Sequence, residues 1–258
     1  MSQPSKQPIV LMYHGIVSEW TALPKTREVG ADLYDVPTVH FMEQMEWLKA
    51  NQYRVKIFED GMPAPGEHEV VLTFDDGEMN NYDQALPVLK KCGFPAYFFA
   101  IAKRVGERGY MGWDELRAMH KAGMAIGSHG FSHEILTNLL DSQVEEELRA
   151  SKRYLERNLN IPIDAFSVPR GFCNNRIIRM AYDAGYKQVF ITDHPRALRI
   201  ECLSRIAVKP NWSLERFELA LIGEVPIMEQ IKSWSIRIAK RVFGSNIYDW
   251  IRKMLLKI

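Results

Sequence analysis

The chain has 258 residues, 47% hydrophobic and 25% charged, an ordinary composition for a protein with a sizeable buried core, built as one large α/β domain or two small ones. Lys and Arg number 33 against 32 Asp and Glu, so there is no dominant basic field and general nucleic-acid binding is disfavoured. Cys92, Cys173 and Cys202 are odd in number, far apart and in no CxxC spacing, which speaks against a disulfide framework or zinc–thiolate site and for thiols in a reducing compartment.

From the N-terminus, Met1 to Gln7 is polar, and the apolar run from Ile9 to Tyr13 is too short for a signal-peptide core. The run Ala96 to Ala102 falls far short of a membrane span, so the expectation is a cytoplasmic protein. Short apolar runs then alternate with amphipathic stretches of helical period. In chain order, Pro8–Tyr13, Tyr53–Phe58, Val70–Phe74, Ala96–Ile101, Met124–Gly127, Ala165–Val168, Gln188–Ile191 and Leu203–Val208 predict strands, mostly short and rich in Val, Ile, Phe or Tyr. Between them, Val39–Ala50, Asn81–Lys91, Trp113–Ala122, Ser142–Asn158 and Asn174–Ala184 predict helices. Leu139, Val144, Leu148 and Leu155 give the fourth an apolar stripe, with Glu145, Glu146, Glu147, Arg149 and Lys152 covering the opposite face. Gly93, Gly123 and Gly185 follow three of these helices, as left-handed stops do.

Such alternation requires a parallel sheet, and no early GxGxxG marks it as dinucleotide-binding. The expected architecture is a single α/β (β/α) barrel over residues 1–223, distorted or incomplete, with seven to eight strands and C-terminal helices after it. In such barrels the chemistry sits on the loops at the C-terminal ends of the strands. Residues 224–258 carry seven Lys or Arg against three acids, with Ile227, Ile231, Trp234, Ile238 and Val242 at helical spacing. Two readings stand for this tail. Its helices pack on the barrel, or they form a basic amphipathic surface in peripheral contact with the inner face of a membrane.

Five polar groups directly follow predicted strands: His14, Asp75-Asp76, His129, Pro169-Arg170-Gly171 and Thr192-Asp193-His194. On a barrel they converge at one mouth. Adjacent carboxylates repel and are costly to hold together without a cation, and Gly77 lets the chain turn so that both face one cavity. Asp-Asp-Gly alone is equally a strand-ending acidic turn. His129 and His133, three residues apart, can meet one metal from a single turn, although HxxxH alone also describes two surface histidines. Two His and one Asp together make a three-ligand set that leaves a position for water, as catalytic sites do.

Thr73-Phe74-Asp75-Asp76-Gly77, His129-Gly130-Phe131-Ser132-His133 and Phe166-Ser167-Val168-Pro169-Arg170-Gly171 resemble the first three motifs of the polysaccharide deacetylase, or NodB-homology, family (carbohydrate esterase family 4). The resemblance runs from Pro8 to about Gly223 and includes Leu11-Met12-Tyr13-His14, Pro95-Ala96-Tyr97-Phe98-Phe99 and Gly112-Trp113-Asp114-Glu115-Leu116. It implies that Asp76, His129 and His133 bind a divalent metal ion, zinc first, with cobalt, nickel or manganese as alternatives. It also implies that Asp75 is the general base and that Pro169 and Arg170 line the oxyanion position, the backbone N–H of Arg170 facing the tetrahedral intermediate. The implied substrate is an N-acetylated saccharide or glycan precursor.

Three departures stand out. Ser167 occupies the position of an Arg that orients the base in many relatives, and Val168 replaces the following Pro. Glu134 replaces the Pro usual after the second histidine. No late Leu-x-His motif supplies a general acid; the comparable stretch reads Leu203-Ser204-Arg205-Ile206-Ala207-Val208. His14 and His194 are the candidates for that acid because both sit at predicted strand ends. The expected function is removal of an N-acetyl group from a sugar. The competing readings are a deformylase or O-acetyl esterase on the same site, and a non-catalytic saccharide-binding relative.

Overall fold

The computed structural model describes residues 9–27, 30–58, 68–192 and 201–224. The predicted strands form a parallel sheet. β1 (Ile9–Tyr13) pairs β5 (Glu69–Phe74), which pairs β6 (Tyr97–Ala100), followed by β7 (Ala125–Ser128), β8 (Ala165–Ser167) and β9 (Gln188–Ile191). The expected last strand is split: β10 (Leu203–Ser204) pairs β9, and β11 (Ile206–Ala207) pairs β1. Both ends of the eight-strand path therefore lie in one short segment around Arg205, whose N–H donates to the Ile191 carbonyl at 2.9 Å. That segment brings the sheet nearly to closure as a barrel.

Smaller elements fill out the chain order. β2 (Ile16–Val17) pairs β3 (Val36–Pro37) in a separate ribbon just beyond β1. The strand expected over Tyr53–Phe58 shrinks to β4 (Arg54–Val55) on β5, and the chain beyond it crosses the barrel floor. There the Phe58 N–H donates to the Tyr97 hydroxyl at 2.7 Å, and that hydroxyl donates to Gln188 Oε1 at 2.9 Å. Satisfying these polar groups at the floor costs β4 its length.

The helices follow the predicted order: α1 (Thr38–Ala50), α2 (Leu86–Cys92), α3 (Trp113–Lys121), α4 (Asp141–Leu159) and α5 (Asn175–Asp183). Gly93, Gly123 and Gly185 follow α2, α3 and α5 with positive φ, as their positions predicted. The stretch expected as one helix from Asn81 begins with a π turn, Asn81–Ala85, ahead of α2. Pro87 has no N–H to close an ordinary turn there. A sixth helix, α6 (Leu214–Leu221), was not among the predicted ones; it is capped by the Ser213 hydroxyl and packs on α1.

Strand alternation sorts side chains into two cores. Leu11, Tyr13, Leu72, Phe74, Phe98 and Ile126 point outward into the helical layer. Val10, Val71, Tyr97, Phe99, Phe190 and Leu203 fill the barrel interior. The same parity carries Thr73, Asp75, His129, Ser167 and Arg205 inward at the upper end, where all but the metal-type histidine form one hydrogen-bonded cluster. Among the described residues no helix is long and apolar enough to cross a membrane. The tail beyond Glu224, and with it the expected C-terminal helices, lies outside the described residues.

Gly127 in β7 leaves no room for a side chain in the interior. A Cβ there would lie 2.5 Å from ring carbons of Phe99 and 3.0 Å from the Ala165 carbonyl oxygen. Phe99 is stacked on Tyr97 and tilted against Phe190, so its ring has nowhere to retreat. Gly127→Ala is expected to destabilise the fold by about 1–3 kcal/mol, the usual cost of overpacking, measured by urea unfolding.

Candidate active site

Asp75 and Asp76 leave the end of β5 in opposite directions. Asp75 continues the inward parity of Val71 and Thr73, and it is 2% exposed. Asp76 takes a left-handed backbone, φ 72°, and Gly77 follows at φ 74°. That double turn aims the second carboxylate at the loop after β7 while the first stays in the barrel. A non-glycine residue held left-handed is strained, and such strain is kept where function needs it.

Asp76, His129 and His133 meet as the spacing argument expected. Asp76 Oδ1 lies 3.6 Å from His129 Nε2 and 3.5 Å from His133 Nε2, and the three donor atoms all fall within 4.8 Å of one another. Ligands placed tetrahedrally about 2.0–2.1 Å from a zinc ion would be about 3.4 Å apart, so the set fits a divalent cation. Asp76 Oδ1 is also buried without a hydrogen-bond partner, which is costly for a carboxylate oxygen unless a cation meets it. The donor chemistry agrees. His129 Nδ1 sits 2.9 Å from the Ser167 carbonyl oxygen and must donate to it, which leaves the Nε2 lone pair facing Asp76. Burial, reinforced by His133 and opposed by Asp75 and Asp76, pushes the His129 pKa down to about 4, so the imidazole is neutral and able to ligate at neutral pH.

Asp75 is held differently. Arg205 Nη1 donates to Asp75 Oδ1 at 2.7 Å and Nη2 to Oδ2 at 2.8 Å, a two-pronged pair with a fully buried guanidinium. Arg205 Nη2 also donates to Ser167 Oγ at 2.9 Å. Burial would raise the Asp75 pKa, but the charge and hydrogen bonds of Arg205, with help from His129, hold it well below the usual carboxylate range. Arg205 thus reaches the carboxylate from the segment between β10 and β11. The small Ser167 leaves room for it. The sequence reading missed this residue, although a signal existed: Arg205 falls on the inward parity of an apolar strand, where an unpaired cation could not stay.

The remaining predicted residues divide. His14, at the end of β1, is partly exposed; its Nδ1 is buried without a hydrogen-bond partner, and its ring tilts against Tyr34 at 4.8 Å. Burial lowers its pKa, opposed by the charges of Asp76 and Asp75 and aided by those of Arg205 and Lys209, which places it within electrostatic reach of the centre. Asn81, in the π turn, donates to the His14 carbonyl at 2.8 Å and fixes that strand end. Pro169 is buried, with Cγ 3.3 Å from where a Cβ on Gly130 would sit, so it braces the histidine loop. Arg170 is left-handed at φ 61° in the turn Pro169–Gly171. His194 lies outside the described residues.

A nearly closed parallel barrel with three metal-type donors and an ionised buried carboxylate at its mouth belongs to the class of barrel hydrolases. The sequence model of the polysaccharide deacetylase family matches residues 63–189. YxkH of Bacillus subtilis strain 168, which carries the polysaccharide deacetylase name, is 31% identical over 224 residues, covering 83% of this chain and 76% of its own. A poly-β-1,6-N-acetyl-D-glucosamine N-deacetylase of Staphylococcus aureus strain MRSA252 is 26% identical over 220 residues, covering 78% of this chain and 72% of its own. Among solved structures, the Streptococcus pyogenes deacetylase PplD, in complex with acetate, superposes with a TM-score of 0.72 at 25% identity, over 84% of this chain and 99% of that one. The chain belongs to the polysaccharide deacetylase family, hydrolases of carbon–nitrogen bonds.

Arg205→Met strands a buried carboxylate and is expected to cost about 3–5 kcal/mol near neutral pH. In the native chain the lowered Asp75 pKa contributes stability that is present above the ordinary carboxylate range and lost as pH falls. In the variant, burial instead raises that pKa, so the penalty grows with pH. Urea unfolding at pH 5 and pH 8 checks this: the deficit relative to the native chain is smaller at pH 5.

Proposed function

We propose that this protein is a metal-dependent deacetylase that removes the N-acetyl group from an N-acetylhexosamine unit of a saccharide or glycan precursor. The observation that carries the reading is the juxtaposition of the Asp76–His129–His133 donor set with an Asp75 kept ionised 3.8 Å from His129 Nε2. The named activity of the Staphylococcus aureus relative supports an N-acetylglucosamine-type unit.

Asp76, His129 and His133 would hold the ion, zinc first. The ion supplies Lewis-acid polarisation of the acetyl carbonyl and raised acidity of a bound water. Asp75 accepts the proton of the attacking water, with Arg205 fixing the direction of its lone pairs. A carboxylate so tightly held is a weak base by itself, which is why it belongs beside a centre that acidifies water. The turn at Pro169-Arg170 lies over the same mouth, and the backbone N–H of Arg170 stabilises the developing oxyanion. His14 gives a proton to the departing sugar nitrogen. As an acid it acts only while protonated, and because burial lowers its pKa, turnover is already falling as pH rises through the ordinary histidine range.

The test is acetate release from N-acetylglucosamine oligomers, beside formamide and O-acetyl ester analogues. Chelation is expected to abolish activity and added zinc or cobalt to restore it. Asp76→Ala should lose both metal and turnover, whereas Asp75→Asn should keep metal and lose turnover. His14→Ala should lower kcat about 10²–10⁴-fold and remove the alkaline limb of its pH profile. Metal binding without acetate release from any N-acetylhexosamine would overturn the assignment.

A further inference from the structure

One carboxylate outside the donor set is spent entirely on the loop between the two histidines. Glu147, partly buried on α4, accepts the N–H groups of Phe131 and Ser132 at 3.0 Å each through Oε2, and the Ser132 hydroxyl through Oε1. The other side of that loop is pinned as well: the carbonyls of Gly130 and Phe131 accept from Ala102 N–H at 3.1 Å and Lys103 N–H at 2.9 Å. Between these anchors the backbone turns left-handed twice, at Gly130 with φ 80° and at His133 with φ 68°. Consecutive N–H groups converging on one anion form a charge-assisted clamp stronger than neutral hydrogen bonds.

The His129 imidazole is oriented by the Ser167 carbonyl, at the end of β8. His133 stands at the end of residues 130–133, and Glu147 holds the middle of that path. A left-handed histidine is a conformation that the surroundings must enforce.

We propose that Glu147 is a positioning residue of the metal centre: it holds loop 130–133 in the shape that aims His133 Nε2 at Asp76, and so raises the affinity for a divalent cation. The inference rests on the reading of Asp76, His129 and His133 as ligands. Glu147 touches neither the ion nor the substrate. It acts through the backbone, as outer partners of metal ligands do.

Cobalt(II) titration of the chelator-stripped full chain tests it, read by the d–d absorption band. Four proteins are compared: wild type, Glu147→Ala, Glu147→Gln and Glu156→Ala. Glu156 is a control at the far end of α4, where it accepts the Ile163 N–H at 3.1 Å. Expected is a 10–100-fold weaker Kd, roughly, for Glu147→Ala with an altered band. Glu147→Gln, which keeps an acceptor without the charge, should fall between it and wild type, and Glu156→Ala should bind as wild type. Wild-type affinity and band in Glu147→Ala would overturn the inference, as would equal weakening in Glu156→Ala. Should Glu147→Ala not fold, Glu147→Gln decides alone: weaker binding supports the role and unchanged binding overturns it. A wild-type protein that takes up no cobalt overturns the ligand reading as well as the inference, an outcome distinct from the others.

Discussion

Inside the upper end of the barrel, the Asp75 carboxylate and the Arg205 guanidinium are removed from water together, and much of the structure follows from that pair. Burying either charge alone costs several kcal/mol, and burying both is tolerated only when geometry and hydrogen bonding are nearly complete. Both Asp75 oxygens receive a guanidinium N–H, and Ser167 takes a further one. Arg205 also spans the break between β10 and β11, where the sheet returns to β1. The charge pair and the closure of the barrel therefore support one another. Below the pair, Phe99 faces the guanidinium at 5.7 Å, and Gly127 gives that ring its place.

Around this rigid centre the site is built from strained turns. Asp76, His133 and Arg170 all have left-handed backbones without being glycine. They lie two, five and three residues beyond the ends of β5, β7 and β8, on the loops at the upper end of the barrel. The barrel supplies direction by alternation, and the loops supply the departures from alternation that a convergent donor set requires. Asp75 and Asp76 show the division within two residues: one obeys strand parity and faces Arg205, while the other breaks it and faces the histidines.

The π turn at Asn81–Ala85 has a similar position. It starts one residue after Asn80, whose side chain accepts from the Ile16 N–H at 3.0 Å, and Asn81 reaches the carbonyl of His14. The ends of β1 and β5 are thus locked by side chains that an ordinary helical start would have turned elsewhere. The ion pairs of Arg27 with Asp35 and Glu78 fasten the loop after β2 to the same region.

The amino-acid sequence by itself determined the order of strands and helices, the parallel sheet, the end of the barrel where chemistry lies, and the identity of Asp75, Asp76, His129 and His133. These are legible because burial repeats with fixed periods, and because side chains with costly charges stand out at the ends of apolar runs. The strand at Tyr53–Phe58 was overread because the floor's hydrogen bonds with Tyr97 and Gln188 lie far along the chain. Only the tertiary structure decided that Arg205 pairs with Asp75 beside Ser167, that Glu147 clamps the histidine loop, and that the last strand divides to join β9 with β1. Arg205 and Asp75 are 130 residues apart, and no local pattern specifies such a partner. Their pairing exists because closing the barrel brings two buried charges of opposite sign to the same depth, where neither could remain without the other.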